Sequence, residues 1–198
     1  WTLNIRNILC IYGDLVNSGD QPEAKEVRDL ETLGIIKTAH DFKIKKSFPT
    51  GRKISCSPEY FIGAADTPFK IDEKFDCKNL LTKINYGANF FQTQYAYDFK
   101  ILKNYINRLN DFGVTEKAYY LVGLGVVKSS RSALWMNKNL FGINIPEKII
   151  KRLEDSKDQE KEGIKICIEL IQKYKEIDGV HGIHLMGYHQ EEQIASVI

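Results

Sequence analysis

The fold of this 198-residue chain is decided by one short run, Tyr60-Phe61-Ile62-Gly63-Ala64-Ala65, which Asp66-Thr67-Pro68 follows directly. The run carries no charge and is long enough for one strand, and the polar residues and proline after it end that strand. Because both of its faces would carry nonpolar side chains, the run predicts a strand of a parallel sheet that is covered on both sides.

Similar runs recur at residues 7–12, 90–94, 118–122 and 180–186, each followed by glycine or a polar residue. Between them, nonpolar side chains repeat at helical spacing, as in the stripe Phe99, Leu102, Ile106 and Leu109. Further stripes of this kind lie at residues 80–84, at 149–153 after Pro146, and at 164–174. The alternation predicts consecutive βα units around a parallel sheet, with the basic stretch from Lys43 to Pro58 as a surface excursion.

The composition narrows the class of protein. Hydrophobic residues make up 43% and aromatic residues 11% of the chain, which excludes a disordered segment. The 28 basic and 26 acidic residues are scattered, so no nucleic-acid surface is expected, and no nonpolar run is long enough for a membrane span. The four cysteines form no CxxC pair, which predicts reduced thiols, a cytoplasmic location and no metal site.

Polar side chains cluster where the predicted strands end, and these are the candidate site residues. No GxGxxG or GxxxxGKS motif accompanies them. A βα barrel carries its active site on this rim, and an open α/β sheet also binds ligands at its carboxyl edge, so the rim does not choose between the two folds. The set is Asp14, Asp66, Gln94, Asp98, Lys128, Ser129 and His189.

Taken in order, the strand ends resemble those of the methylenetetrahydrofolate reductase family, a family of flavin-dependent βα barrels. The segments that carry the resemblance are Gly13-Asp14, Gly63-Ala64-Ala65 with Pro68, Gly87-Ala88-Asn89-Phe90-Phe91-Gln92-Thr93-Gln94, Gly123-Leu124-Gly125 and Gly182-Ile183-His184-Leu185-Met186. They cover nearly the whole chain in the family's order. The resemblance therefore implies a TIM-type (β/α)8 barrel.

The resemblance also implies an activity. It is the reduction of 5,10-methylenetetrahydrofolate to 5-methyltetrahydrofolate by NAD(P)H through FAD, with FMN as the alternative flavin, in one-carbon metabolism and methionine biosynthesis. A folate substrate is the implied partner, and a homo-oligomer or a subunit of a reductase complex is the expected assembly. Neither a membrane nor nucleic acid is expected.

The resemblance gives catalytic or binding roles to Gly13, Asp14 and Gln94, and the tyrosines just after Gln94 are further candidates. Asp14, with Gly13, would lie beside the flavin, where its carboxylate would stabilise the cationic iminium form of the folate. Gln94 would hydrogen-bond the substrate, since its amide offers donors and acceptors together. Tyr95 and Tyr97 would pack on the ligand rings. The alternatives are a helix N-cap for Asp14, a strand-end polar residue for Gln94 and ordinary burial for the tyrosines.

Two more residues match family positions that hold the ribityl chain and phosphate of the flavin. Asp76 and Lys83 lie seven residues apart, which would place them on one helix face two turns apart. Lys83 would neutralise phosphate charge and Asp76 would accept from a ribityl hydroxyl. An ordinary solvated helix face is the alternative. The histidines His181 and His184 are expected to be packed or hydrogen-bonded, and His189 is a weaker candidate for the site.

The chain also departs from the family pattern. Tyr12 stands where many relatives carry a basic residue before Gly-Asp, and the family's first strand with its glutamate, the proposed general acid, is absent. A βα barrel takes about 250 residues, so residues 1–198 are expected to form one barrel domain that lacks its first strands. About the last five βα units would be present, with an open sheet edge at the first strand. A non-catalytic accessory protein and a folate-dependent methyl-transfer or demethylation protein are the alternative functions.

Overall fold

The structure is a computed structural model that describes residues 1–198 apart from the side chain of Ser18. Five strands alternate with helices. The strands are β1 (Asn7–Cys10), β2 (Phe61–Asp66), β3 (Phe90–Tyr95), β4 (Tyr119–Leu124) and β5 (Gly182–Leu185). The helices are α1 (Thr32–Lys45), α2 (Lys78–Asn85), α3 (Phe99–Asp111), α4 (Ser130–Asn139), α5 (Glu147–Glu154), α6 (Gln159–Lys175) and α7 (Glu191–Ala195), with a 3-10 turn at Val16–Ser18.

The strands form one sheet in the order β1-β2-β3-β4-β5, and each strand neighbours the next one along the chain. β1 pairs with β2 in parallel, with Leu9 opposite Gly63, and β4 pairs with β5 in parallel, with Gly123 opposite His184. The predicted α/β fold with a parallel sheet is confirmed, and β1 lies at one end of the strand order as expected. Closure into a barrel stays a prediction.

By its internal contacts, the chain divides into two compact units. The first comprises residues 1–65 and 78–90, and the second comprises residues 66–77 and 91–198. In the first unit, the Ile62 N–H donates to the Asn89 side-chain oxygen Oδ1 at 2.9 Å, and the Asn89 N–H donates to the Ile62 carbonyl oxygen at 2.7 Å. The rings of Phe61 and Phe90 stack beside this pair at 5.4 Å. These contacts fix the amino-terminal half of β2.

The second unit has its core where α3 and α6 pack. The predicted α3 stripe is confirmed, since Leu102, Ile106 and Leu109 are fully buried. Asp98 caps this helix, its carboxylate accepting from the backbone N–H groups of Lys100 and Ile101. The stripes predicted for α2, α5 and α6 also form helices, and Pro146 immediately precedes the first turn of α5.

Three helices carry no clear signal in the sequence, and the shortest of them, α7, buries none of its five residues. α1 buries Ile36 and Ala39 alone among its described residues, and α4 buries Ala133 alone, so neither shows a full nonpolar stripe. The predicted surface excursion from Lys43 is therefore wrong at its start, because α1 continues to Lys45. The remainder of that stretch forms turns and a single antiparallel bridge between Ser47 and Lys53.

The expectation that every strand is covered on both faces is wrong for β1. Leu9 is 40% exposed, and Ile11, just beyond the strand, is 57% exposed. By contrast, Phe91 in β3 and Val122 in β4 are fully buried. The central strands therefore have the double cover of a parallel sheet, whereas the end strand does not. Across residues 1–198, none of the helices combines the length and nonpolar character that crossing a membrane requires.

Gly123 in β4 allows a close approach that a matched pair of substitutions can test. A Cβ atom at this position would lie 2.3 Å from the Thr93 carbonyl oxygen and 2.7 Å from that of Gln94. We expect Gly123→Ala to lower the free energy of unfolding by about 2 kcal/mol, since backbone atoms of β3 must move. Urea denaturation measures this change.

Gly182, in the neighbouring strand β5, provides the control. Its added Cβ would approach only a terminal carbon of the flexible Leu121 side chain, at 3.0 Å. We expect Gly182→Ala to change the free energy of unfolding by less than about 1 kcal/mol. Equal losses in the two variants would contradict the assignment of Gly123 as a close-approach glycine.

Candidate functional site

Most of the candidate residues lie at the carboxyl ends of strands, whereas Lys83 lies in α2 and Asp76 in the connection before it, and the set divides between the two units. Gly13, Asp14 and Lys83 lie in the first unit, and Asp76, Gln94 and Tyr95 lie in the second.

The end of β1 carries a guanidinium group that the local sequence does not reveal. Arg28 places its guanidinium 3.9 Å above the centre of the Tyr12 ring, donates to the Asp14 carbonyl oxygen and pairs with Glu26. Its Nη1 atom is buried and has no hydrogen-bond partner among the described atoms. Arg28 thus brings a positive charge to Tyr12, the residue that occupies a position where a basic residue was expected.

Gly13 and Asp14 form the turn that leaves β1. Gly13 has a φ of +83°, and no atom lies within 4 Å of the position that a Cβ would take. The 3-10 turn after it is capped by Leu15 without a side-chain hydrogen bond. The alternative reading of Asp14 as an N-cap is therefore wrong for this turn, and its role beside a ligand stays a prediction.

Lys83 reaches the carboxyl end of β2. Its ammonium group donates to the Ala65 carbonyl oxygen at 2.8 Å. Asp76 lies two residues before α2 begins at Lys78, so it is outside the helix. The argument that Asp76 and Lys83 share one helix face is wrong, because residues 67–77 form an irregular connection with a turn at residues 73–74, and the helix begins only at Lys78.

Gln94 is held in one orientation at the end of β3. Its Oε1 atom accepts from the backbone N–H of Tyr95 at 3.0 Å. Because this bond uses the carbonyl side of the amide, the two N–H donors on Nε2 are the groups that a ligand would meet. The half-buried Gln94 side chain can therefore serve as an oriented hydrogen-bond donor.

Tyr95 and Tyr97 lie just beyond Gln94 and stack with ring centroids 5.8 Å apart. The Tyr95 hydroxyl donates to the Met186 carbonyl oxygen at 3.2 Å, and the Tyr97 hydroxyl donates to that of Gly125 at 3.1 Å. Burial raises the pKa of both phenols, and that of Tyr97 most strongly, so both remain donors at neutral pH. Tyr97 is 2% exposed, which favours the burial alternative for this residue.

Asp66 at the end of β2 is bound by two buried tyrosines that sequence reasoning missed. The Tyr105 hydroxyl donates to its carboxylate at 3.0 Å, and the Tyr120 hydroxyl donates to the same oxygen. Burial, followed by the Asp66 charge, raises the pKa of both phenols, so they hold their protons. Burial and the same charge raise the pKa of the neighbouring Cys77 to about 11. Asp66 therefore anchors the strand end through neutral donors.

His181, which directly precedes β5, is hydrogen-bonded as predicted, and His184 within β5 is half-buried. His181 accepts from the backbone N–H of Tyr120 at 3.1 Å through Nδ1. His184 lies opposite Gly123 in the sheet register, and burial lowers its pKa. His189 has a φ of +50°, and its backbone carbonyl accepts from the Lys128 ammonium at 3.1 Å. No grouping of three or more metal-binding side chains occurs among the residues described.

Comparison with known proteins shows which family the sequence matches. The family model for methylenetetrahydrofolate reductase matches residues 1–198. A curated Caenorhabditis elegans protein named as a probable methylenetetrahydrofolate reductase (NADPH) is 23% identical over 200 residues. The match covers 99% of this chain and 28% of that protein, so the chain spans little more than a quarter of its relative's length.

A solved structure from Clostridium thermocellum has a similar fold. It is described as an uncharacterised protein that binds two copies of 5-methyl-5,6,7,8-tetrahydrofolic acid. The TM-score is 0.53 at 16% identity, and the match covers 80% of this chain and 55% of that one. At this identity the likeness shows a shared fold.

The Asp66 anchor can be tested by removing a single hydroxyl group. We expect Tyr120→Phe to lower the free energy of unfolding by about 2 kcal/mol, because a buried hydrogen bond to a charged group is lost. Chemical denaturation followed by circular dichroism measures the loss. Tyr188→Phe is the control, since Tyr188 is 85% exposed. The free energy of unfolding of this variant should stay within about 0.5 kcal/mol of that of the parent. An unchanged stability in Tyr120→Phe would contradict the anchor.

His184 predicts a pH dependence of stability. Its pKa is lower in the folded chain than the ordinary histidine value of about 6.5. The unfolded chain therefore binds the proton more readily, so the His184 contribution is complete above pH 6.5 and declines as the pH falls below it. We expect His184→Gln to reduce the stability difference between pH 7.5 and pH 5.5, as measured by urea denaturation. An unchanged difference would contradict this assignment.

Proposed function

The chain belongs to the methylenetetrahydrofolate reductase family, and we propose that it serves the flavin-dependent reduction of 5,10-methylenetetrahydrofolate. In the overall reaction, NAD(P)H and a proton supply the two hydrogen equivalents, and 5-methyltetrahydrofolate and NAD(P)+ are the products. The family match over all 198 residues carries this proposal. The curated relative named for NADPH supports the nicotinamide, and the folate-binding neighbour supports the substrate class.

The residues of the first unit fit the charged part of a flavin nucleotide. Lys83 holds its ammonium at the end of β2, and Arg28 holds a guanidinium with an unpartnered Nη1 at the end of β1. Cations of this kind bind phosphate oxygens. The space around Gly13 would admit a ligand close to the backbone. Asp76 remains the proposed acceptor for a ribityl hydroxyl, and FAD is the proposed flavin, with FMN as the alternative.

A bound flavin would supply the hydride-transfer chemistry, and the protein would supply binding and electrostatics. In this proposal the Asp14 carboxylate stabilises the positive charge that develops on the methylene carbon of the folate. The N–H donors of Gln94 orient the substrate, because Oε1 is already bonded to the backbone. Tyr95 provides an aromatic surface at the same strand end. An oriented donor and a nearby negative charge would lower the barrier by stabilising the charge that develops in the reaction.

The other family properties are part of the proposal. They include a βα barrel architecture, a cytoplasmic location in one-carbon metabolism and methionine biosynthesis, and assembly as a homo-oligomer or as a subunit of a reductase complex. The parallel five-stranded sheet is compatible with a barrel of this type.

A visible spectrum tests the activity. We expect the purified chain to carry or take up flavin, to lose the flavin absorption with NADH or NADPH in the absence of oxygen, and to regain it with methylenetetrahydrofolate. A colourless protein that does not bind added flavin would refute the proposal and favour an accessory role. Turnover of methyltetrahydrofolate without nicotinamide oxidation would instead favour methyl transfer.

Gln94 provides the residue-level test. We expect Gln94→Leu to slow reoxidation by methylenetetrahydrofolate roughly a hundredfold, since an oriented donor is lost. Its flavin content should remain unchanged. Gln92→Leu is the matched control, because Gln92 lies on the same strand, two residues further from the carboxyl end. Stopped-flow absorbance measures both rates, and equal losses would contradict the role of Gln94.

A further inference from the structure

Thr93 is a buried hydroxyl-bearing residue of β3, directly before Gln94 in the chain. Its side chain is 3% exposed, and Thr115, at 8%, is similarly buried. Burying a hydroxyl group costs free energy unless the group is hydrogen-bonded. The partners of the Thr93 hydroxyl therefore show what its burial serves.

The Thr93 hydroxyl joins β4 to the backbone of Gln94. It accepts from the Gly123 N–H at 2.8 Å and donates to the Gln94 carbonyl oxygen at 2.7 Å. Because a backbone N–H can only donate, the Thr93 oxygen must be the acceptor of the first bond, which leaves its own proton for the second. Both the donor and the acceptor capacity of the hydroxyl are thus used, each in one direction.

These bonds reach the Gln94 side chain through one peptide unit. The Gln94 carbonyl and the Tyr95 N–H belong to the same planar unit and point to opposite sides of it. The Thr93 hydroxyl holds the carbonyl side, and the Oε1 atom of Gln94 accepts from the N–H side at 3.0 Å. A rotation of this plane would break both bonds together. The Thr93 hydroxyl therefore fixes the group that orients the Gln94 amide.

Gly123 supports the same peptide unit from β4. Its N–H donates to Thr93, and its carbonyl oxygen accepts from the Ala96 N–H at 3.0 Å. The two strands are therefore bonded on both sides of the unit between Gln94 and Tyr95. A Cβ atom on Gly123 would lie 2.7 Å from the Gln94 carbonyl oxygen, so the β4 backbone lies directly against this unit.

We propose that Thr93 is a positioning residue for Gln94, whose peptide unit it holds so that the N–H donors on Nε2 remain directed to the substrate. Thr93 itself does not contact the substrate and acts through Gln94. The kinetic consequence rests on the proposed reduction, whereas the hydrogen-bonded arrangement does not. A donor that is held in place before the reaction loses much of its effect when its support is removed.

Thr93→Val tests the kinetic consequence, because it exchanges the hydroxyl for a methyl group of similar size. We expect reoxidation of the reduced flavin by methylenetetrahydrofolate to be about tenfold slower, with unchanged flavin content. Thr93→Ser keeps the hydroxyl, and its rate should stay within about twofold of the parent. Stopped-flow absorbance measures the rates. If Thr93→Val does not fold, Thr93→Ala compared with Thr93→Ser isolates the hydroxyl, since both lack the methyl group.

Thr115→Val is the matched control, because it also removes a buried threonine hydroxyl. The Thr115 hydroxyl donates to the side-chain oxygen of Asn110, in the last turn of α3. Both valine variants should have a lower melting temperature than the parent, but only Thr93→Val should slow reoxidation. Equal slowing in the two variants would show that the loss follows from reduced stability, and it would overturn the positioning role.

Amide hydrogen exchange of Tyr95 tests the arrangement without turnover. The Tyr95 N–H is protected by its bond to the Gln94 side chain. We expect its exchange to be at least about tenfold faster in Thr93→Val than in Thr115→Val, as measured by nuclear magnetic resonance. Equal exchange in the two variants would overturn the proposal. Faster exchange with unchanged reoxidation would retain the hold of Thr93 on this peptide unit and refute the proposed contact of Gln94 with the substrate.

Discussion

Buried tyrosine hydroxyl groups are the interaction on which the carboxyl edge of the second unit depends. Strand ends leave carbonyl groups without sheet partners, and a buried carbonyl without a donor is costly. Tyr95, Tyr97 and Tyr174 donate to the carbonyls of Met186, Gly125 and Ala96. Tyr105 and Tyr120 donate to the Asp66 carboxylate in the same way. Each phenol supplies a nonpolar ring to the core and one donor at its tip, and burial keeps that donor protonated.

The strands were predictable because their signal is local. A run such as residues 118–122 has no charge and ends at Gly123, so its length and composition indicate a buried parallel strand without knowledge of its neighbours. α1 and α4 lack such a signal, because one or two buried residues per helix cannot produce a periodic stripe. Asp76 was misplaced for a related reason. Spacing of seven residues indicates a shared face only where both residues are helical.

The candidate residues could be located at strand ends from sequence, but their partners could not. Arg28 reaches Asp14 across 14 residues, and Tyr120 reaches Asp66 across 54. These contacts depend on how segments pack, which single-sequence patterns do not encode. The two tyrosines resemble ordinary core residues, since Tyr105 lies on the buried face of α3 and Tyr120 in a strand. Their hydroxyls were the available signal, because a buried phenol needs an acceptor.

The two units differ in the chemistry that they present at their strand ends, and this difference bears on function. The first unit presents cations, with Arg28 at β1 and Lys83 at β2, together with the Asp14 carboxylate. The second presents an oriented neutral amide at Gln94 and a series of aromatic rings whose polar tips are already bonded. Charged groups suit phosphate and a developing positive charge, whereas a neutral donor beside rings suits planar heterocycles, whose edges carry hydrogen-bond acceptors. Each unit, considered by itself, therefore offers a different surface for recognition, and the proposed residue roles divide between the two units accordingly.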